Sequence, residues 1–143
     1  MKRMSFMLTV KAMEDGTKDV TRRLGWADLK PGDQFMAVEQ CQGLRKGGLK
    51  KNGEKPKVFG PCECVSNKPE PLHEIKSRPC RLRPAGDVMD RPECEREGFP
   101  HLRPDQFIAM FCQHMKVEPS KVVNRIQFKR VNLRIQQFPK GGQ

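Results

Sequence analysis

Lys18 and Thr21 stand three residues apart in Gly16-Thr17-Lys18-Asp19-Val20-Thr21-Arg22-Arg23, with two arginines directly behind them. A lysine that loses its proton is a base, and a threonine hydroxyl beside a base is a nucleophile. Arg22 and Arg23 suit an anionic or planar ligand, because the guanidinium is a flat fork of donors. The same residues also describe a basic, solvated turn leading into a strand. A spacing of three puts Lys18 and Thr21 on one side of a helical turn but on opposite sides of a regular strand. Joint chemistry therefore demands a bend between them.

The surrounding pattern predicts the elements that must supply that bend. Phe6, Leu8 and Val10 alternate as a half-buried strand over residues 5–10. Residues 11–15 suit a helical turn ended by Gly16. Leu29-Lys30-Pro31-Gly32-Asp33 is a strong turn signal, and residues 34–39 follow as a strand. Residues 42–57 carry four glycines and a proline, and so read as a flexible loop. Arg45, Lys46, Lys50, Lys51, Lys55 and Lys57 make that loop cationic, suited to tracking phosphates. Residues 58–65 resume as a strand. Residues 66–92 read as an irregular Pro/Arg-rich insertion with one short helical turn at 72–75, because Pro69, Pro71, Pro79, Pro84 and Pro92 forbid a long regular element.

Glu93, Glu95 and Glu97 fall on a short helix over 93–99. Pro104 then opens the clearest helix, with Phe107, Met110, Phe111 and His114 at i, i+3, i+4 and i+7. That stripe reads as core, with His114 packed or at its rim. Residues 122–131 form a last strand. Ile126 and Phe128 share its apolar face; Arg125, Gln127 and Lys129 share a polar face open to solvent or ligand. Residues 136–143 read as a frayed tail, which leaves residues 1–135 as a single domain.

The chain has 143 residues and a net charge of +11, spread along its whole length. Such a field attracts polyanions, of which nucleic acid is the commonest. A nucleic acid, RNA or DNA, is the partner class that this charge suits. There is no tyrosine and one tryptophan, Trp26, so extended base-stacking platforms are not expected. No apolar run is long enough to cross a membrane. Cys41, Cys62, Cys64, Cys80, Cys94 and Cys112 lack paired zinc spacing and read as reduced thiols, with Cys62 and Cys64 on one strand face. The expectation is a monomeric cytoplasmic protein without metal or cofactor.

The motif around Lys18, the Lys-Pro-Gly-Asp turn, Glu97-Gly98-Phe99 leading into Asp105-Gln106-Phe107, and Asn124-Arg125-Ile126-Gln127-Phe128 resemble the ASCH superfamily of PUA-like β-barrels. The resemblance spans roughly residues 5–131 and is nearest to the small ASCH proteins of bacteria and phages. It implies an α+β fold, a barrel of about five to six strands with flanking helices, and an association with RNA. One branch hydrolyses N4-acetylcytidine with a lysine, a threonine three residues later and a distant glutamate before a helix. Lys18, Thr21 and Glu97 match those places, with Glu95 as the competitor for the third. The resemblance thus implies an amidohydrolase on an N4-acylated cytidine. Its alternatives are a non-catalytic nucleic-acid-binding module and a single-strand ribonuclease. Trp26, Arg45, Lys46, Lys50, Lys51, Arg125 and Lys129, with Arg22 and Arg23, are the expected ligand-binding residues.

Overall fold

The computed structural model describes residues 1–78 and 91–131. Five strands form one mixed sheet: β1 (Arg3–Ser5), β2 (Val20–Arg23), β3 (Gln34–Val38), β4 (Val58–Pro71) and β5 (Val122–Arg130). Helices α1 (Val10–Asp15), α2 (Glu93–Arg96) and α3 (Pro104–Met115) join them, with 3-10 turns at Met7–Thr9 and Leu72–Ser77. The spatial order is β1-β3-β4-β5-β2; β1 runs parallel to β3 and every other pair is antiparallel. The sheet curls into a half-barrel. Arg23 at one edge donates from Nη2 to Ser5 O at the other, at 2.5 Å.

The alternation in β5 explains where the two cores lie. Ile126 and Phe128 point into the curl, where they join Met4, Phe6, Phe35, Ala37, Cys62 and Cys64. Phe128 meets Phe6 at 5.7 Å and Phe35 at 5.8 Å between ring centres. Val123 lies among Leu72, Ile75, Cys94, Phe107, Ile108 and Phe111. The face expected to stay open is therefore covered at Val123 and Arg125, while Gln127 is half-buried and Lys129 exposed. Full burial of one such large apolar side chain contributes about 1.5–3 kcal/mol. Cys62 and Cys64 share the inner face as expected, and burial pushes the Cys62 thiol up to about 11.

Two elements differ from the sequence expectation. The first strand spans only Arg3–Ser5; Met7 and Leu8 are each 56% exposed, and the chain turns helical instead. Ala12 and Met13 are the buried side chains of α1, which ends at Gly16 in the left-handed region. Residues 66–71 are also not irregular, since they continue β4 along β5. Pro69 and Pro71 fit there because β3 pairs only with residues 58–63, so that among the described residues no second strand pairs with residues 66–71. A missing N–H on that side removes no ladder bond. The 3-10 turn then extends to Ser77, past the expected single turn. The remainder of the expected insertion over 79–90, with Cys80, and the tail at 136–143 lie outside the described residues.

Among the described residues, no helix is long and apolar enough to cross a membrane. Nor are three His, Cys, Asp or Glu side chains grouped there as metal ligands.

Gly98 fixes how closely the segment after α2 approaches the N-terminal helical turn. Its φ is +96°, and a Cβ there would lie 2.7 Å from Thr9 Cγ2 and 3.3 Å from Ala12 Cβ. Gly98→Ala should therefore destabilise the fold by about 1–3 kcal/mol, through overpacking and a disfavoured backbone. Urea unfolding measures this, and an unchanged midpoint would contradict the packing described.

Candidate functional site

The bend demanded by the Lys18–Thr21 spacing lies between α1 and β2. Thr17 N–H donates back to Ala12 O at 3.0 Å, and Asp19 N–H donates to Arg96 O at 3.0 Å. Residues 17–19 thus lie outside any strand, pinned to α1 on one side and to α2 on the other. This turns the Lys18 side chain toward the end of α2. Its Nζ donates to the Glu97 main-chain carbonyl and lies 3.3 Å from Glu97 Oε1. Both side chains are only 3% exposed.

Thr21 is buried within β2. Arg23 Nε donates to Thr21 Oγ1 at 3.0 Å, which leaves the hydroxyl proton uncommitted. The Arg23 guanidinium lies 4.8 Å from the centre of the Phe6 ring, and Lys18 Nζ lies 5.9 Å from it. One aromatic ring thus has two cations within reach. Lys18, Thr21 and Glu97 line one half-open cleft of about 200 Å³, together with Arg22 and Arg23. Its apolar walls come from Phe6, Met7 and Leu8 on one side and from Phe107, Met110 and Phe111 of α3 on the other. His114 stands at the cleft as a rim residue and is exposed.

Burial governs the charges in this cleft. It pulls the Lys18 ammonium down to about 8 from 10.5; Glu97 opposes the shift, while Arg23 and Arg22 add to it. Burial likewise lowers Arg23 to about 10, against the pull of Glu97. For Arg22, burial works against the charge, but the carboxylates of Glu97 and Glu93 outweigh it and raise its pKa. For Glu93, burial is again the largest single influence and favours the acid. The hydrogen bond from Arg125 and the charges of Arg22 and Arg125 overcome it and hold the carboxyl at about 2.

The expected ligand-binding residues stand in several different places. Arg22 has no exposed side-chain surface to offer a sugar or phosphate. Its Nη1 donates to Glu97 Oε2 at 2.7 Å; its Nη2 donates to Glu93 Oε2 at 2.7 Å and to Glu70 Oε2 at 2.9 Å. Arg125 is a fork on Glu93, at 2.7 and 3.1 Å. Trp26 packs on Phe35 and lines a different groove, of about 480 Å³, with Lys2, Leu29 and Asp33 among its neighbours. Asn67 Nδ2 holds that tryptophan's turn by donating to Trp26 O and Leu29 O, each at 2.8 Å. Arg45, Lys46, Lys50 and Lys51 lie in the β3–β4 connection, away from the cleft lining. There Arg45 bridges to Leu49, and Lys50 pairs with Glu39 at 3.0 Å. Lys129 is exposed on β5, 3.9 Å from Glu63. Glu95 does not line the cleft; it pairs with Arg91 at 3.4 Å.

The residue that sequence reasoning missed is Glu93, the shared acceptor of two arginines. Its signal is the four-residue step from Glu93 to Glu97, which puts two carboxylates on one face of a helical turn. No family model, curated protein or solved structure matches the chain.

The Glu93 shift has a pH consequence. A carboxyl lowered in the folded state stabilises the fold above its unfolded value of 4.5, and this stabilisation is lost as pH falls toward 2. Thermal unfolding should therefore show a drop in stability over that acid range, on the order of 2–3 kcal/mol. Glu93→Gln should flatten that part of the curve. An identical acid profile in the variant would contradict the assignment.

Proposed function

We propose that this chain is a PUA-like protein of the ASCH kind that binds a nucleoside or nucleotide in the Lys18 cleft and hydrolyses the N4-acyl amide of a modified cytidine. The observation that carries this reading is the shared cleft: Lys18, Thr21 and Glu97 line it together, and Lys18 is lowered to about 8. The element order and the curled mixed sheet are compatible with that fold. A cleft of about 200 Å³ with aromatic walls suits one ring system rather than a polynucleotide strand.

The reaction then runs as follows. Neutral Lys18 takes the proton of Thr21 as Oγ1 attacks the acyl carbonyl. Arg23 Nε, already on Oγ1, eases the loss of that proton, and the negative charge of the tetrahedral intermediate develops on the former carbonyl oxygen. The C–N4 bond breaks, and the amine leaves with a proton returned by the Lys18 ammonium. Water then hydrolyses the threonyl ester to the free acid and restores the hydroxyl. Glu97 holds Lys18 between steps. In the resting arrangement Lys18 is on Glu97 and Thr21 is on Arg23, so the amine must shift toward Oγ1 during turnover.

A second reading is a non-catalytic nucleic-acid-binding module, favoured by Lys46, Lys51 and Lys55, which stand exposed on the β3–β4 connection. Incubation with N4-acetylcytidine separates the two. Cytidine and acetate should appear, followed by mass. Thr21→Ala should lower the rate by about 10²–10⁴-fold. The rate should rise with pH through about 8, because the ammonium cannot accept a proton. No release of cytidine, or an unimpaired Thr21→Ala, would overturn the amidohydrolase. Salt-sensitive RNA binding alone would leave the module.

A further inference from the structure

Arg22 and Arg125 are direct partners across the antiparallel β2–β5 pair, so two like charges stand on one face of the sheet. Such a pair is destabilising unless a carboxylate lies between its members. Glu93 fills that place, accepting 2.7 Å hydrogen bonds from both arginines on Oε2. The free end of Arg22, Nη1, then reaches Glu97 Oε2 at 2.7 Å, while Lys18 Nζ lies 3.3 Å from Oε1. The two oxygens of Glu97 are thus shared unequally.

We propose that Arg22 is a positioning residue for Lys18: it holds Glu97 by Oε2 and keeps that carboxylate from closing into a tight ion pair with the amine. Glu93 and Arg125 fix Arg22 in turn. The groups facing Lys18 are Glu97 at the end of α2, Arg22 and Arg23 on β2, the Phe6 ring, and His114 of α3 across the cleft. Glu97 favours the ammonium and the two arginines disfavour it. Removing Arg22 deletes a cation and also frees Oε2, and both changes keep Lys18 protonated to higher pH. Neutralising Glu93 acts the other way, because Arg22 then leans harder on Glu97. A merely structural role would loosen the site in both variants and shift Lys18 in the same direction.

The inference rests on reading Lys18 as a base, but its test does not need turnover. Brief acetic anhydride labelling across the alkaline range, with Lys18 acetylation read by peptide mass, gives the pH of half-maximal reactivity. Arg22→Gln should raise that pH by about one unit, making Lys18 about tenfold less reactive near neutrality. Arg22→Lys keeps the charge without the fork and should raise it by less. Glu93→Gln should leave it unchanged or lower it. An unshifted Arg22→Gln, or a Glu93→Gln that rises with it, would overturn the proposal. Urea unfolding of each variant checks that it is folded. If Arg22→Gln does not fold, a rise in Arg22→Lys without a rise in Glu93→Gln supports the proposal, and any other pair of shifts overturns it. Absence of amidohydrolysis with these shifts intact would reject the reaction and leave the positioning role standing.

Discussion

Arg22 on β2 and Arg125 on β5 face each other across the sheet, and the Glu93 carboxylate lies between them. Neither strand could bury its arginine alone, since an isolated buried charge is strongly disfavoured. Glu93 pairs with both and ties α2 to the sheet. Glu97, one helical turn further on, accepts the remaining end of Arg22 and carries the contact to Lys18. The position of the cleft's carboxylate is therefore set by a charge lattice rather than by helix propensity, since α2 is only four residues long. Removing one partner from a buried pair of this kind costs about 3–5 kcal/mol.

The same lattice decides the state of Lys18. Within a simple buried ion pair, an amine and a carboxylate stabilise one another's charge. Here the carboxylate is already engaged by Arg22, and Arg23 beside the Phe6 ring adds a second cation. Burial therefore prevails over Glu97, and the amine is poised near neutrality. Structure and reactivity are coupled at this point: the arrangement that holds α2 in place also withholds the counterion that would keep Lys18 charged.

How much of this was legible in the sequence follows from the range of each interaction. α3 was readable because Phe107 and Phe111 repeat at helical spacing, and β3 and β5 because their apolar residues alternate. The start of the chain was not, because Phe6, Leu8 and Val10 alternate like a strand while the helical turn leaves Leu8 in solvent. Pro69 and Pro71 disguised the end of β4, since the point where β3 stops pairing cannot be read from composition. Arg22 and Arg125 looked like open cations because their shared partner lies 71 and 32 residues away. Only the resemblance pairs Glu97 with Lys18, whose contact spans 79 residues.

Lys18 is an amine poised near neutrality in the cleft, despite a carboxylate within reach. Carbon-13 labelling of the lysines and titration of the Lys18 ε-carbon resonance measures this in the intact protein. The expected midpoint is near 8. A midpoint at the ordinary lysine value of 10.5 or above would contradict it, and would make the Lys18–Glu97 contact a plain structural ion pair.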